Sequence, residues 1–178
     1  MKKTYVMPLL ILTVICLVVS GALALMDSIT SPLILAAATE RAQEAMVEKI
    51  PAATGFESID PDDVSGNMPA SIKEIYRTTN GIGYIFIAAV NGFSGDITII
   101  CGVDPDGRII SCSTLSHTET KGIGTILEQE SFLSPFKGLD SDLKGIDTVA
   151  GATISTRAFI HAIEDILLAF QLVNSQIN

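Results

Sequence analysis

The 178-residue sequence has no tryptophan, two histidines, three cysteines and only 6% aromatic residues. Its 11 basic residues are scattered, so there is no basic stripe with interleaved aromatics to follow a nucleic acid backbone. Cys16, Cys101, Cys112, His117 and His161 form neither a C-x-x-C nor an H-x-x-x-H spacing, so the sequence offers no local metal-ligand set. It also lacks a recognisable nucleophile–base pair and a nicotinamide fingerprint, and no catalytic residue is assigned. Positive charge is scarce beyond the N-terminus: after Lys2 and Lys3, nine basic residues stand against all 20 acidic ones. Such a surface repels nucleic acid and anionic lipid headgroups. The partners left are other proteins, or a cofactor held by a small local site.

Charge is absent altogether from Tyr5 to Met26, a run of 22 residues preceded by Lys2-Lys3 and followed by Asp27. As a helix rising about 1.5 Å per residue, this run reaches roughly 33 Å, enough to cross a hydrocarbon core of about 30 Å. The two lysines keep the N-terminus cytoplasmic and send the rest of the chain outside. A cleaved signal peptide is the rival reading, because Ala22-Leu23-Ala24 has the small-x-small form of a cleavage site. The apolar run exceeds the usual length of a signal core, which favours retention as an anchor. Cys16 within it is read as an apolar filler.

Ser31-Pro32 has the form of an N-cap with Pro at the first helical position, and helix-favouring residues continue to Pro51. Residues 51–70 carry three prolines and two glycines among acidic residues and read as a loop. Four extended runs follow, Ile72–Thr78, Ile82–Val90, Asp96–Val103 and Arg108–Leu115, separated by short Gly, Asn and Asp turns that demand antiparallel neighbours. A four-residue turn at Asp104–Gly107 places Cys101 opposite Ile110, with Cys112 diagonal on the same face, so both cysteines are read as free core residues. A disulfide between them stays open as the alternative.

Two polar, glycine-spaced stretches remain. One is Leu115–Gly124, containing His117, Glu119, Thr120, Gly122 and Gly124; read alone it is a strand end and a loop with His117 and Glu119 solvated. The other is Asp147-Thr148-Val149-Ala150-Gly151-Ala152-Thr153. Here Gly151 can take backbone angles closed to other residues, Ala152 leaves room for a bulky group, and Thr153 offers a hydroxyl at the mouth of a helix, a good place for phosphate. Ser155 or Thr156 can cap that helix, whose apolar positions are Phe159, Ile160, Ile163, Ile166, Leu167, Phe170 and Val173. His161 is read as helix surface.

Asp147–Thr153 resembles the covalent-FMN motif D-x-x-(S/T)-G-A-T of the G subunit of Rnf-type electron transport complexes and the C subunit of sodium-translocating NADH:quinone oxidoreductases, with Ala150 at the Ser/Thr position. His117–Gly124 resembles a second block of that family, H-x-E-T-x-G-x-G. It follows Gly95-Asp96-Ile97 and Val103-Asp104-Pro105-Asp106-Gly107-Arg108-Ile109 in the family's order. The resemblance implies FMN bound covalently through its phosphate to Thr153, with Gly151, Ala152, Asp147, Ser155 and Thr156 around it. His117, Glu119, Thr120, Gly122 and Gly124 would form the other wall, and Asp147 part of the recognition sequence for a flavin transferase.

The expected architecture is α+β, an antiparallel sheet flanked by helices with one N-terminal transmembrane helix. Residues 1–26 would be the cytoplasmic tip and anchor, 27–50 a connecting helix, and 51–178 the extracytoplasmic FMN-binding domain. The resemblance implies an electron-transfer subunit of an Rnf-type ferredoxin:NAD oxidoreductase complex coupled to sodium or proton export, partnered by the other membrane subunits, by the flavin transferase during maturation and by lipid. Two other readings compete: a free-standing extracytoplasmic flavin reductase or electron shuttle, and a tethered interaction domain without redox chemistry.

Overall fold

In the computed structural model, residues 3–120, 122, 124–141, 143 and 145–177 are described. The chain divides into two units, residues 1–41 and 42–178. Helix α1, Lys3–Lys49, contributes to both. In the first unit, Met7–Ser31 is a 25-residue stretch of mean hydropathy 2.8 with none of its residues buried, a candidate membrane span. The helix does not begin afresh at Ser31 as the cap reading expects. Ser31 Oγ instead donates back to Asp27 Oδ1 at 3.0 Å, which uses the hydroxyl on the preceding turn. The strong helix formers beyond Pro32 carry α1 through the one backbone donor that proline lacks.

The second unit is built on a five-stranded antiparallel meander in the order β1-β2-β3-β4-β5. The strands are Phe56–Ile59 (β1), Ile72–Thr78 (β2), Tyr84–Asn91 (β3), Asp96–Val103 (β4) and Ile109–His117 (β5). β1 lies inside the segment read as loop. It is only four residues long and pairs at the sheet edge through Phe56 to Thr78 and Ile59 to Ile75, too short for a period to declare itself.

Both faces of the central strands are covered, and their unbroken apolar runs follow from that. On one face Phe86, Ala88, Ile97, Ile99, Cys101 and Val103 meet helix α3, Thr153–Ile177, through Phe159, Ile163, Ile166, Leu167 and Phe170. Leu127 and Phe132 close the same core, the latter from the short helix α2, Glu130–Leu133. On the other face Ile85, Ile87 and Ile100 pack against Met46 and Ile50 at the end of α1. α3 is also long and apolar enough to cross a membrane, but 44% of its most apolar window is buried, as befits a core helix. α3 starts at Thr153, so Ser155 and Thr156 do not cap it but lie buried in its first turn. Thr156 Oγ1 donates back to the Ala152 carbonyl at 2.9 Å and accepts from the Val149 amide at 3.2 Å, which ties the preceding loop to the helix.

The β4–β5 register departs from the four-residue turn. Asp104 N donates to the Arg108 carbonyl at 2.9 Å, and Asp104 Oδ1 accepts from Asp106 N and Arg108 N at 3.0 and 2.8 Å, so Arg108 belongs to the turn. Gly107, at φ +87, supplies the left-handed residue this turn needs. A bulge at Ile110 then sets Cys101 opposite Cys112 and Val103 opposite Ile109. Ile110 turns to the α1 side of the sheet and Ile109 takes its place in the α3 core.

Both strand cysteines are buried with free thiols. Burial pushes the Cys101 thiol well above its usual range and the Cys112 thiol up to about 12. The native protein should therefore resist alkylation at both positions at about pH 8 and react only when unfolded. Cys112→Ala should cost on the order of 1–2 kcal/mol in denaturant titration through lost packing. Non-reducing peptide mapping that recovers a 101–112 linked pair would overturn the free-thiol reading.

Candidate functional site

Thr153 is the first residue of α3, and its side chain is exposed. The turn before it is closed by Ala152 N donating to the Val149 carbonyl at 3.0 Å, with Gly151 at φ +87. A Cβ on Gly151 would meet nothing, so its requirement there is conformational rather than steric. The first amides of α3 lie beyond the turn without intrahelical acceptors, where the helix dipole favours an anion. Beside Thr153 opens a cavity of about 260 Å³ lined by Phe93, Gly151, Ala152, Thr153, Ile154 and Ser155. Thr153, Gly151, Ala152 and Ser155 thus line one cavity.

The opposite wall comes from the β3–β4 connection, and Glu119 shapes it. Far from being solvated, Glu119 is 8% exposed. Its Oε1 accepts from the amides of Phe93 at 2.6 Å and Ser94 at 3.2 Å. Thr120 adds a hydroxyl contact of 3.0 Å to Ser94. Two glycines make room for this. A Cβ on Gly92 would collide with Glu119 Oε1 and stand 2.6 Å from Ile97 Cδ1, and one on Gly124 would collide with His117 Cε1 and stand 2.9 Å from Glu119 Cβ. His117 supports the same carboxylate-bearing turn, its Nδ1 accepting from Glu119 N and its Nε2 meeting Glu128 Oε1, both at 3.2 Å. That arrangement requires the Nε2–H tautomer, since a proton on Nδ1 would displace the amide.

Not every expected residue reaches the cavity: His117, Glu119, Thr120 and Gly124 do not line it, and Glu119 bears on it only through the amide of Phe93. Asp147 is exposed and lines a separate cavity of about 170 Å³ with Gln129, Ser131, Phe132 and Pro135. Thr156 is buried beneath the loop it anchors, and Gly122 is exposed at φ +98. His161 sits on the surface of α3 with Nδ1 2.8 Å from Glu164 Oε2. The residues that sequence reasoning missed are Ile154, beside Thr153, and Phe93, lodged in Gly92-Phe93-Ser94-Gly95, which reads only as a turn.

Among the described residues, two buried side-chain oxygens have no hydrogen-bond partner, Glu119 Oε2 and Ser155 Oγ. Of the two, Ser155 lines the cavity; Glu119 does not, and bears on it only by holding the amide of Phe93 with its other oxygen. Buried polar atoms ordinarily find partners. The unspent Ser155 hydroxyl, an apolar lining and a helix N-terminus together fit a phosphorylated ring such as FMN. Among the described residues no three His, Cys, Asp or Glu side chains gather to hold a metal ion.

Residues 92–168 match the family described as FMN-binding domain. The chain is 31% identical over 106 residues to the G subunit of the proton-translocating ferredoxin:NAD(+) oxidoreductase complex of Clostridium ljungdahlii, an alignment covering 52% of this chain and 57% of that one. It is 28% identical over 163 residues to the G subunit of the ion-translocating oxidoreductase complex of Methanosarcina acetivorans, covering 85% and 87%. To the corresponding protein of Shewanella piezotolerans it is 30% identical over 126 residues, covering 62% and 59%. The chain thus spans a little over half the length of the first and third relatives and most of the second. The crystal structure of NqrC from Shewanella oneidensis shares the fold at a TM-score of 0.51 and 22% identity, covering 72% of each chain. The stretch that matches the family begins at Gly92, just before Phe93, and runs into α3, enclosing both walls of the cavity. Residues 92–168, a little under half of the chain, thus match the FMN-binding domain family, and the chain is similar over part or most of its length to the G subunits of ion-translocating oxidoreductase complexes.

Proposed function

We propose that this chain is a membrane-anchored flavoprotein subunit that carries FMN on Thr153 and relays electrons within an Rnf-type, ion-translocating ferredoxin:NAD oxidoreductase complex. The observation that supports it best is the exposed Thr153 at the mouth of α3, opening on a cavity inside the segment that matches the FMN-binding family. When bound, the flavin supplies an electron carrier, and the protein supplies attachment, orientation and environment. Thr153 provides the ester oxygen, and the first amides of α3 face the phosphate. Gly151 and Ala152 keep the approach open, and Glu119, braced by His117, Thr120 and Gly124, fixes the facing wall. Asp147, on its separate cavity, is assigned to recognition by the flavin transferase, and Gly122 and Thr156 shape the loops behind the two walls. Covalent attachment suits a carrier outside the cytoplasm, where a dissociated cofactor is lost.

In this proposal residues 1–26 hold the chain in the bilayer with the N-terminus cytoplasmic, 27–50 lead out of it, and 51–178 form the extracytoplasmic domain. The partners are the other membrane subunits, the flavin transferase during maturation and the lipid around α1. The full chain, produced with a flavin transferase and purified from membranes, should carry one FMN per chain, absorb near about 450 nm and bleach on reduction. A colourless product would overturn the flavoprotein reading. Residues 1–26 should be retained and the protein should stay in the membrane fraction after a carbonate wash. Soluble protein beginning near Leu25 would replace the anchor with a signal peptide.

A further inference from the structure

Beyond α1, three large apolar side chains are exposed among the described residues, Phe93 at 61%, Ile154 at 55% and Leu168 at 47%. Scattered exposed apolar side chains are ordinary. These are not all scattered: Phe93 and Ile154 line the cavity that Thr153 opens on.

The backbone beneath Phe93 is also fixed at unusual cost. Gly92 N donates to the Gly95 carbonyl at 2.8 Å, and the next two amides are taken by a carboxylate that is withdrawn from water. Burying a carboxylate is expensive unless its hydrogen bonds are made. Glu119 leaves one oxygen without a partner, yet both bonds from the other go to Phe93 and Ser94. Glycines at 92 and 95 let this happen, since side chains there would strike Glu119 and Thr118. An exposed aromatic ring on a rigidly held loop tip, facing an attachment residue, is a preorganised contact surface.

We propose that Phe93 is the platform against which the flavin ring rests, with Ile154 as the second apolar wall. The assignment rests on FMN being carried at Thr153. A planar π system is the chemistry these residues suit, because an aromatic face offers both contact area and favourable offset stacking. A membrane or a partner protein is the other conceivable owner of an exposed phenylalanine, and the test separates them.

The full chain is matured with a flavin transferase, and attachment is confirmed by mass on the denatured protein before any optical measurement. Phe93→Trp places an electron-rich indole where the phenyl ring stands. In contact with the flavin, an indole donates an electron to the excited ring and recovers it on return to the ground state, which quenches emission. The variant should emit several-fold less than wild type per attached FMN, and the difference should vanish on unfolding. Phe93→Leu, which keeps an apolar side chain but removes the ring, should lower the visible circular dichroism of the bound flavin without moving the thermal midpoint. Undiminished emission from Phe93→Trp with FMN attached would overturn the platform while leaving the flavoprotein intact. Absence of FMN from wild type would instead overturn the reading on which it rests.

Discussion

Thr153→Val should abolish the covalent flavin entirely while leaving the fold untouched. Valine matches threonine in shape but replaces the hydroxyl by a methyl group, so the side chain fits the same space and no ester oxygen remains. Thr153 is exposed at the first position of α3, so stability should change by no more than about 0.5 kcal/mol. Wild type matured with a flavin transferase should gain a mass equal to FMN less one water, about 438 Da, and keep its yellow colour through denaturing electrophoresis. The valine variant should lose both signals, although the walls built on Phe93 and Glu119 still bind some flavin in native buffer. Ser155→Ala and Thr156→Val are the required controls, each offering a hydroxyl within three residues. Their burial makes them poor acceptors: both are 0% exposed, and Thr156 Oγ1 is already engaged with Ala152 and Val149. An adduct that survives in the Thr153 variant and disappears in a control would move the site without disturbing the flavoprotein reading. Thr156→Val should in addition loosen the loop, because the Val149 amide loses its acceptor at a cost of about 1 kcal/mol or more.

What the sequence made legible follows the range of the interactions involved. β2 and β4 have the bounds that their composition predicts, because turn residues on both sides cut them off. β3 begins two residues later than expected. The Thr78 hydroxyl and amide close a turn onto Gly83, at 2.9 and 3.0 Å to its carbonyl, and draw Ile82 out of the strand. β5 runs on to His117 because Thr118 N still finds the Asp96 carbonyl at 3.2 Å, a partner far back along the chain. The bulge at Ile110 depends on one Asp104 carboxylate accepting two amides, which composition does not announce. The site divides in the same way. Gly151, Ala152 and Thr153 are contiguous and make their turn locally, so the motif alone brings them together. Phe93 enters only through the reach of Glu119 across the sheet end, and nothing in Gly92-Phe93-Ser94-Gly95 taken by itself distinguishes it from an ordinary hairpin tip.

Phe159→Ala should cost more stability than any of the substitutions above. The residue follows Thr153 by less than two turns of α3, at the apolar spacing that turns one helix face to the sheet. Its ring is fully buried, with its centroid 5.3 Å from that of Phe132 at 72° and 5.5 Å from that of Phe136 at 55°. Phe132 and Phe136 themselves meet edge to face at 5.6 Å, so three rings form one cluster joining α3 to α2 and the turn after it. Removing the Phe159 ring loses its transfer energy and leaves a cavity that the two remaining rings, each fixed by the other, cannot collapse into. A cost of about 3–5 kcal/mol is expected, and for a domain of this size roughly 10–20 °C in thermal midpoint. Leu168→Ala, on the exposed side of the same helix, should stay within about 0.5 kcal/mol and serves as the control. The loss of Phe159 reaches the site by way of the helix. α3 carries Thr153 at its first position, and Phe132 lines the cavity on which Asp147 lies, so loosening the cluster loosens both ends of the Asp147–Thr153 loop. Flavin attachment in Phe159→Ala should therefore fall steeply as the maturation temperature approaches its lowered midpoint and recover in the cold, whereas Thr153→Val stays without adduct at every temperature. Full attachment in Phe159→Ala at all temperatures would show that the transferase acts on the loop independently of how α3 is packed.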